Sequence, residues 1–325
     1  MKGKIGLEEH FAVQETLYDS ERYFPKDVWP KFSAMITDLM KIRIDEMDAG
    51  GMDMMILSLN SPAIQAIYNP ARAVEVAKIA NDTMAEAIAK NPKRFRGFAA
   101  LPMQDVDAAI KEMHRAVNEL GCVGLLVNGY SQVGDEDTCK YLDDPIYDEF
   151  WVEVEKLDVP FYMHPRDMMP CNTKIVEGHP WLIGAAWTFG FETATHTLRL
   201  LCSGLFDKHP KLKYILGHLG ETLPFCIWRT QSRIAIEKRG IPAKRPLYEY
   251  MSENMWFTTS GQFRTAALWN TIMEFSSSRV LFATDFPFEE VGVACEWFDN
   301  CSISDTDKKL IGRDNSIDLF KLTDL

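Results

Sequence analysis

The sequence predicts an α/β protein, a (β/α)8 TIM barrel with loop insertions, and three observations carry that expectation. Short β-branched or apolar runs recur along the 325 residues, and stretches with helical periodicity alternate with them. The runs number eight, the count that closes a parallel sheet on itself. They start about 39 residues apart on average, room for a strand, a crossover helix and two loops.

The elements follow in order. The first strand is expected from Lys4 to Glu8 and the second from Met54 to Leu59. Before the second lies Asp48-Ala49-Gly50-Gly51, where glycine stops a helix by taking a left-handed conformation. A helix is expected from Pro70 to Lys90, with proline where a first turn tolerates it. Then come strand Phe95 to Leu101, helix Asp107 to Leu120, strand Val123 to Asn128 and helix Asp144 to Lys156. Strand Val159 to His164, helix Ala185 to Phe206, strand Leu212 to His218 and helix Glu221 to Ile236 continue the alternation. The last two strands run from Trp256 to Ser260 and from Val280 to Asp285. Near-continuous apolar strands of this kind belong to a sheet covered by helices. An open doubly wound sheet is the alternative, weakened because neither a Gly-rich dinucleotide fingerprint nor a phosphate loop occurs. Residues 1–325 are read as one barrel domain, although length alone would allow two. The loop-like stretches Phe11 to Phe32 and Pro165 to Trp181 are expected to carry specificity.

Composition narrows the function. With 46% hydrophobic and 25% charged residues the chain has the balance of a folded globular protein. Its net charge of −12, from 35 Lys and Arg against 47 Asp and Glu, argues against a nucleic-acid partner. No apolar stretch approaches the roughly 18 residues of a membrane span, and no signal-peptide pattern precedes the first strand, so no membrane partner and a cytoplasmic location are expected. The seven cysteines are scattered and never two residues apart, the pattern of reduced thiols rather than of a disulfide framework or a zinc knuckle.

In such a barrel the reactive groups project from the carboxyl ends of the strands. The expected ends carry Glu8-Glu9-His10, Asn60, Asn128, His164, His218, Ser260 and Asp285, so three of the seven histidines fall at one rim. Glu8 and His10, two residues apart, share one face of a strand, while Glu9 points away. Closure brings Asp285 beside them, and His164 faces them across the mouth. Two carboxylates and two imidazoles suit one divalent ion, Zn²⁺ or Mn²⁺, and do not separate the two metals. His218 and Glu221 form a pair in which the carboxylate bonds one imidazole nitrogen; acid, base and supporting roles all remain open.

Each residue also has a plain reading. A strand-end histidine taken alone is more often a packing residue than a ligand. His114, His196 and His209 are assigned to surface or packing roles, and His179 either lines a pocket or makes a turn. Asn128 either binds a substrate oxygen or stabilises its turn. Arg229 is either an ordinary surface residue or a carboxylate clamp.

With these residues in hand, the chain resembles the amidohydrolase superfamily, in its branch of non-oxidative aromatic acid decarboxylases. The resemblance rests on Gly6-Leu7-Glu8-Glu9-His10-Phe11, Ala99-Ala100-Leu101-Pro102, Asp158-Val159-Pro160-Phe161-Tyr162-Met163-His164-Pro165, Ile215-Leu216-Gly217-His218-Leu219-Gly220-Glu221, Thr258-Thr259-Ser260-Gly261 and Leu281-Phe282-Ala283-Thr284-Asp285. Relatives acting on 2,3-dihydroxybenzoate or salicylate carry alanine where this chain has His10, so it is more similar to the 2,6-dihydroxybenzoate (γ-resorcylate) subgroup. The resemblance implies a homotetramer with one Zn²⁺ or Mn²⁺ on Glu8, His10, His164 and Asp285 and no organic cofactor. It implies reversible decarboxylation of a small aromatic carboxylic acid to resorcinol and CO₂. It gives Asp285 the proton-donor role, His218 and Glu221 a positioning or relay role, and Asn128, Arg229 and Tyr23 contacts to substrate. The segments around Tyr23 and Phe24 and at Phe286-Pro287-Phe288 depart most from the family pattern, which touches substrate choice. The same ligands would also serve a hydrolase opening a lactone or amide with Asp285 as base. A barrel that binds aromatic acids without turning them over is the remaining class.

Overall fold

Every expected strand forms. The computed structural model describes residues 1–323, so the last two residues of the expected 1–325 unit lie outside the described residues. In chain order the strands are β1 (Lys4–Phe11), β2 (Met52–Leu59), β3 (Phe95–Ala100) and β4 (Gly124–Asn128), then a small hairpin of β5 (Ser131–Gln132) and β6 (Cys139–Lys140). β7 (Phe161–His164), β8 (Tyr214–Leu216), β9 (Met255–Thr258) and β10 (Val280–Leu281) complete them. The large sheet runs β1-β2-β3-β4-β7-β8-β9-β10, and its pairs are parallel. Its two ends meet through a bridge between Leu7 and Ala283, with Leu7 N donating to Phe282 O at 3.1 Å and His10 N to Phe286 O at 2.7 Å. The sheet is therefore a closed eight-stranded barrel.

Helices cover it: α1 (Trp29–Thr37), α2 (Lys41–Gly50), α3 (Pro70–Lys90), α4 (Val106–Asn118), α5 (Asp148–Leu157), α6 (Thr188–Cys202), α7 (Leu205–Lys208), α8 (Leu223–Ile236), α9 (Leu247–Asn254), α10 (Thr265–Phe275) and α11 (Val291–Asn300). α3 has the expected bounds because Asn69 caps it, its side chain accepting from Arg72 N at 3.1 Å, and Pro70 opens its first turn. α2 stops where expected, at Gly51 with φ 65°.

Three expectations need correction. The stretch 185–206 is not one helix: α6 ends at Cys202, and Gly204 in a left-handed turn starts the separate α7. The stretch 11–32 is not all loop, since Phe11 completes β1, residues Leu17–Tyr23 form a 3-10 turn and α1 begins at Trp29. The β5–β6 hairpin was not expected, because two-residue strands are too short to show a period.

Two apolar layers alternate along the strands. Ile5, Leu7, Met54, Ile56, Phe98, Leu126, Tyr162, Ile215, Leu281 and Ala283 fill the barrel, while their neighbours Met55, Leu57, Leu125, Phe161, Met163 and Leu216 pack under the helices. β1 breaks this alternation once. If Ile5 and Leu7 face inward, strict period two would turn Glu8 and His10 outward and Glu9 inward. Instead the pairing of β1 with β2 shifts register between Gly6 and Glu9, and Glu8 takes φ 59°. This local bulge resets the phase, so Glu8 and His10 share the inner face as expected, but for a reason simple alternation does not contain.

Candidate metal centre

The four residues expected to hold a metal converge. Glu8, His10, His164 and Asp285 each present a ligand atom within 4.8 Å of all the others. Glu8 Oε1 lies 3.2 Å from His164 Nε2 and 4.0 Å from His10 Nε2, and Asp285 Oδ1 lies 3.4 Å from His10 Nε2. The chain positions each group with care for its free atom. Ser58 Oγ, on β2, is 3.1 Å from His10 Nδ1, which leaves Nε2 facing the cluster. His164 is the last residue of β7. Asp285 follows β10 with φ 66°, its carbonyl accepting from Phe288 N at 2.8 Å.

The donor set fits a cation. Glu8 Oε1 and His10 Nε2 are buried and make no hydrogen bond. Buried polar atoms are seldom left so, and here two of them aim at the same point. Burial lowers the pKa of His10, and that of His164 to about 4, so both rings are neutral with lone pairs to offer. Burial raises the Glu8 carboxyl to about 7, partly offset by His218 and His10. For Asp285 burial acts in the same direction, but the neighbouring His10 and His218 rings outweigh it and hold the carboxyl well below its usual range. A divalent ion would supply the positive charge that this buried pair of carboxylates lacks.

His218 stands beside the cluster with φ 51°. Its Nδ1 is 2.5 Å from Glu221 Oε1, and its Nε2 is 3.5 Å from Glu8 Oε1 and 3.8 Å from Asp285 Oδ2. Burial alone would lower its pKa, but the Glu221 and Glu8 carboxylates win and raise it well above the ordinary value. With Nδ1 held by Glu221 and Nε2 turned to the cluster, the geometry is compatible with an acid, a base or a supporting role.

Asn128, Tyr23 and Arg229 have different surroundings. Asn128 is buried, but its Nδ2 donates to Asn60 O at 2.9 Å and to Pro62 O at 3.3 Å, and only Oδ1 stays without a partner. Its amide N–H groups tie β4 to the loop after β2, so what it retains for a ligand is an acceptor. The Tyr23 hydroxyl bonds Asp167 and Arg22, and its ring packs edge-on against Phe189 at 5.7 Å. The aromatic ring at the cluster is instead Phe288, edge-on to His10 at 5.4 Å and backed by Phe24 and Phe32. Arg229 is exposed on α8, and its side chain forms neither an ion pair nor a hydrogen bond among the described residues. His114 pairs with Glu153 at 3.0 Å, and buried His196 accepts from Leu142 N at 2.9 Å. His209 is buried 3.5 Å from Glu155, and exposed His179 packs on Trp181. These four have the surface, packing and turn roles read from their contexts.

Sequence reasoning missed Ser58, Tyr162 and Thr258 as neighbours of the ligands. Each lies at or near the end of a barrel strand, and Tyr162 and Thr258 also fall within the motifs that carry the resemblance. The seven cysteines are free, and no helix of the described residues is long and apolar enough to cross a membrane.

Comparison with known proteins gives a consistent result. An amidohydrolase family model matches residues 27–322. The chain is 52% identical over 324 residues to the gamma-resorcylate decarboxylase of Rhizobium sp. (strain MTP-10005), covering 99% of each chain. It is similar to the crystal structure of a 2,6-dihydroxybenzoate decarboxylase complexed with 2,6-dihydroxybenzoate, at TM-score 0.97 and 52% identity over 99% of this chain and 100% of the other. It is also similar to the dihydroxybenzoic acid decarboxylase from Polaromonas sp. JS666 with bound manganese and the inhibitor 2-nitroresorcinol, at TM-score 0.97 and 51% identity over 99% and 97%.

Proposed function

This chain belongs to the amidohydrolase family, and from that premise we propose that it is a metal-dependent carboxy-lyase that converts 2,6-dihydroxybenzoate (γ-resorcylate) to resorcinol and CO₂, reversibly. The observation that carries the reading is the convergence of Glu8, His10, His164 and Asp285 within 4.8 Å, with His10 present. The relatives named above, decarboxylases of this same acid, support it. Glu8, His10, His164 and Asp285 would hold one Zn²⁺ or Mn²⁺, and the manganese in the Polaromonas relative favours Mn²⁺. The ion, when bound, supplies Lewis acidity toward the carboxylate and the ortho oxygen of the substrate.

The rest of the chemistry belongs to the chain. The His218 imidazolium, held by Glu221, faces the cluster and donates a hydrogen bond to a substrate oxygen. Asn128 Oδ1 accepts from the second hydroxyl. Phe288 walls the site, so the aromatic ring packs against apolar surface and water is kept from the reacting carbon. Asp285 begins ionised, so it acts first as an acceptor. The proton of the ortho hydroxyl passes to Asp285, and from Asp285 to the ring carbon bearing the carboxylate. The bond to the carboxylate then breaks, its electron pair restores the aromatic ring, and CO₂ leaves. The resorcinolate regains a proton from water.

Three further points complete the proposal. Residues 1–325 act as one barrel unit in the cytoplasm, with neither nucleic acid nor membrane as partner. The chain assembles as a homotetramer, which the large apolar side chains exposed on α8, Phe225 at 85% and Trp228 at 75%, support. Arg229 lies on that helix and would reach a substrate only across such an assembly. Metal analysis combined with assays on 2,6-dihydroxybenzoate, 2,3-dihydroxybenzoate, 2,4-dihydroxybenzoate and salicylate tests the reading. The 2,6-isomer is expected to release CO₂ fastest; hydrolysis of a lactone panel without CO₂ release from any of the acids would overturn it.

A further inference from the structure

We infer that Tyr162 is a positioning residue that makes Glu8 a one-oxygen ligand, leaving room at the metal for both substrate oxygens. The inference rests on the reading of Glu8 as a metal ligand and deepens it.

The two oxygens of Glu8 have different surroundings. Oε2 accepts a hydrogen bond from the Tyr162 hydroxyl and lies 3.4 Å from Thr258 Oγ1. The Tyr162 and Thr258 hydroxyls are themselves 2.8 Å apart. Oε1 has no hydrogen-bond partner and is the oxygen that faces His164, His218 and His10. One oxygen is thus engaged beneath the cluster while the other is free above it.

The seat for this arrangement is built from several strands. Tyr162 lies two residues before His164 on β7, so both side chains take the inner face, and one strand supplies a ligand together with the group that aims a second ligand. The Tyr162 ring is fully buried and packs edge-on against Phe98 at 5.6 Å, which fixes where its hydroxyl ends. Gly217, next to β8, provides the space. A Cβ at that position would lie 3.1 Å from Glu8 Oε2 and 3.2 Å from the Tyr162 hydroxyl. Any side chain there would press on the contact itself.

The chemistry explains why a single oxygen matters. A carboxylate that binds through both oxygens occupies two positions on an ion, and a substrate that binds through its carboxylate and its ortho hydroxyl needs two positions as well. A phenol donating to a carboxylate makes a strong, charge-assisted bond, which keeps Oε2 from turning toward the ion. Tyr162 itself touches neither substrate nor reacting atoms. Its influence on turnover passes through Glu8.

The test compares Tyr162→Phe with the unmodified protein, first by chelator competition for Mn²⁺, which requires no turnover, and then by steady-state kinetics at saturating Mn²⁺. Mn²⁺ affinity is expected to fall by about 10- to 100-fold, in the range seen when outer partners of metal ligands are removed. KM for 2,6-dihydroxybenzoate is expected to rise more than kcat falls. Unchanged Mn²⁺ affinity and unchanged KM would overturn the inference, as would a loss confined to thermal stability of the metal-stripped protein. Gly217→Ala, which crowds the same oxygen, is the second variant; it too should weaken Mn²⁺ binding at least tenfold, and an unchanged affinity there counts equally against the seat. An unmodified protein that binds Mn²⁺ but releases no CO₂ would refute the proposed activity while the Mn²⁺ affinities still decide the role of Tyr162.

Discussion

Glu8, His218, Glu221 and Asp285 share an unusual property: all four have left-handed backbones, with φ of 59°, 51°, 50° and 66°. For residues with a side chain this conformation costs roughly 1–2 kcal/mol each, and it persists only where surrounding contacts over-determine it. Here Leu219 N donates to Thr258 O at 2.7 Å and Phe288 N to Asp285 O at 2.8 Å. The strain turns side chains at strand ends into the mouth rather than along the barrel wall. Two predictions belong to this scale. Asp285→Asn should retain substrate binding within about tenfold yet lower turnover by about 10²-fold or more, as for loss of a group that carries the reacting proton. Binding titration with single-turnover kinetics checks it, and an undiminished rate removes Asp285 from that step. Gly190, in α6, is the second case. An added Cβ would lie 2.9 Å from Glu221 Oε2 and displace the carboxylate that holds His218. Gly190→Ala should therefore lower kcat by about tenfold or more while helix propensity, worth about 1 kcal/mol, leaves the melting temperature level or higher. A fall in melting temperature with unchanged kcat would show that packing, and not Glu221, is what the glycine serves.

At the scale of elements, β1 explains most of what the site requires. Its bulge sends Glu8 and His10 inward and Glu9 outward, where Glu9 accepts from Thr284 N at 3.0 Å and from the Thr284 hydroxyl. Gly6 makes room for that carboxylate, since a Cβ there would lie 2.4 Å from Glu9 Oε1 and 2.4 Å from Met52 Cε. Gly6→Ala is predicted to destabilise the protein by about 1–3 kcal/mol, the usual result of overpacking a filled interior. Urea denaturation of both proteins measures it; a difference under about 0.5 kcal/mol would mean that Glu9 and Met52 simply move aside. The strands themselves were legible in the sequence because buried parallel strands are apolar runs bounded by turn residues. Helix α3 was legible to the residue because Asn69 and Pro70 punctuate its start. The bulge was not, for a register shift depends on the partner strand, and nothing within Gly6-Leu7-Glu8-Glu9-His10 announces it. The break after α6 was missed for a similar reason: apolar periodicity continues through Leu205 and Phe206, and only Gly204 marks the interruption.

The whole molecule assembles its cluster from residues as distant as Glu8 and Asp285, and the four metal ligands were legible because barrel closure makes strand ends neighbours regardless of sequence separation. Asn128 and Tyr23 were harder. Their types suit a ligand, but partners that engage them, Asn60 O, Pro62 O and Asp167, lie on other loops whose paths the sequence does not give. Binding an ion to the folded chain alone must stabilise it, by about 2.7 kcal/mol at a free concentration 100 times Kd. Added Mn²⁺ should thus raise the melting temperature of the metal-stripped protein, and scanning fluorimetry showing no rise would deny the site its ion. Acid should act elsewhere in the fold. His196 is fully buried in α6, its Nε2 accepts from Leu142 N at 2.9 Å, and burial with the Arg199 charge lowers its pKa to about 3. In the unfolded chain the same ring titrates near 6.5. Between those values the unfolded state binds more protons, so the stability present above about pH 6.5 is lost as pH falls toward 3, at up to about 1.4 kcal/mol per unit from this group alone. His196→Gln keeps an acceptor for Leu142 N and removes the titration. In metal-stripped protein, the fall in unfolding free energy from pH 6.5 to pH 4.5 should accordingly be smaller for the variant by about 2 kcal/mol. Equal losses in both proteins would place the acid sensitivity in other groups.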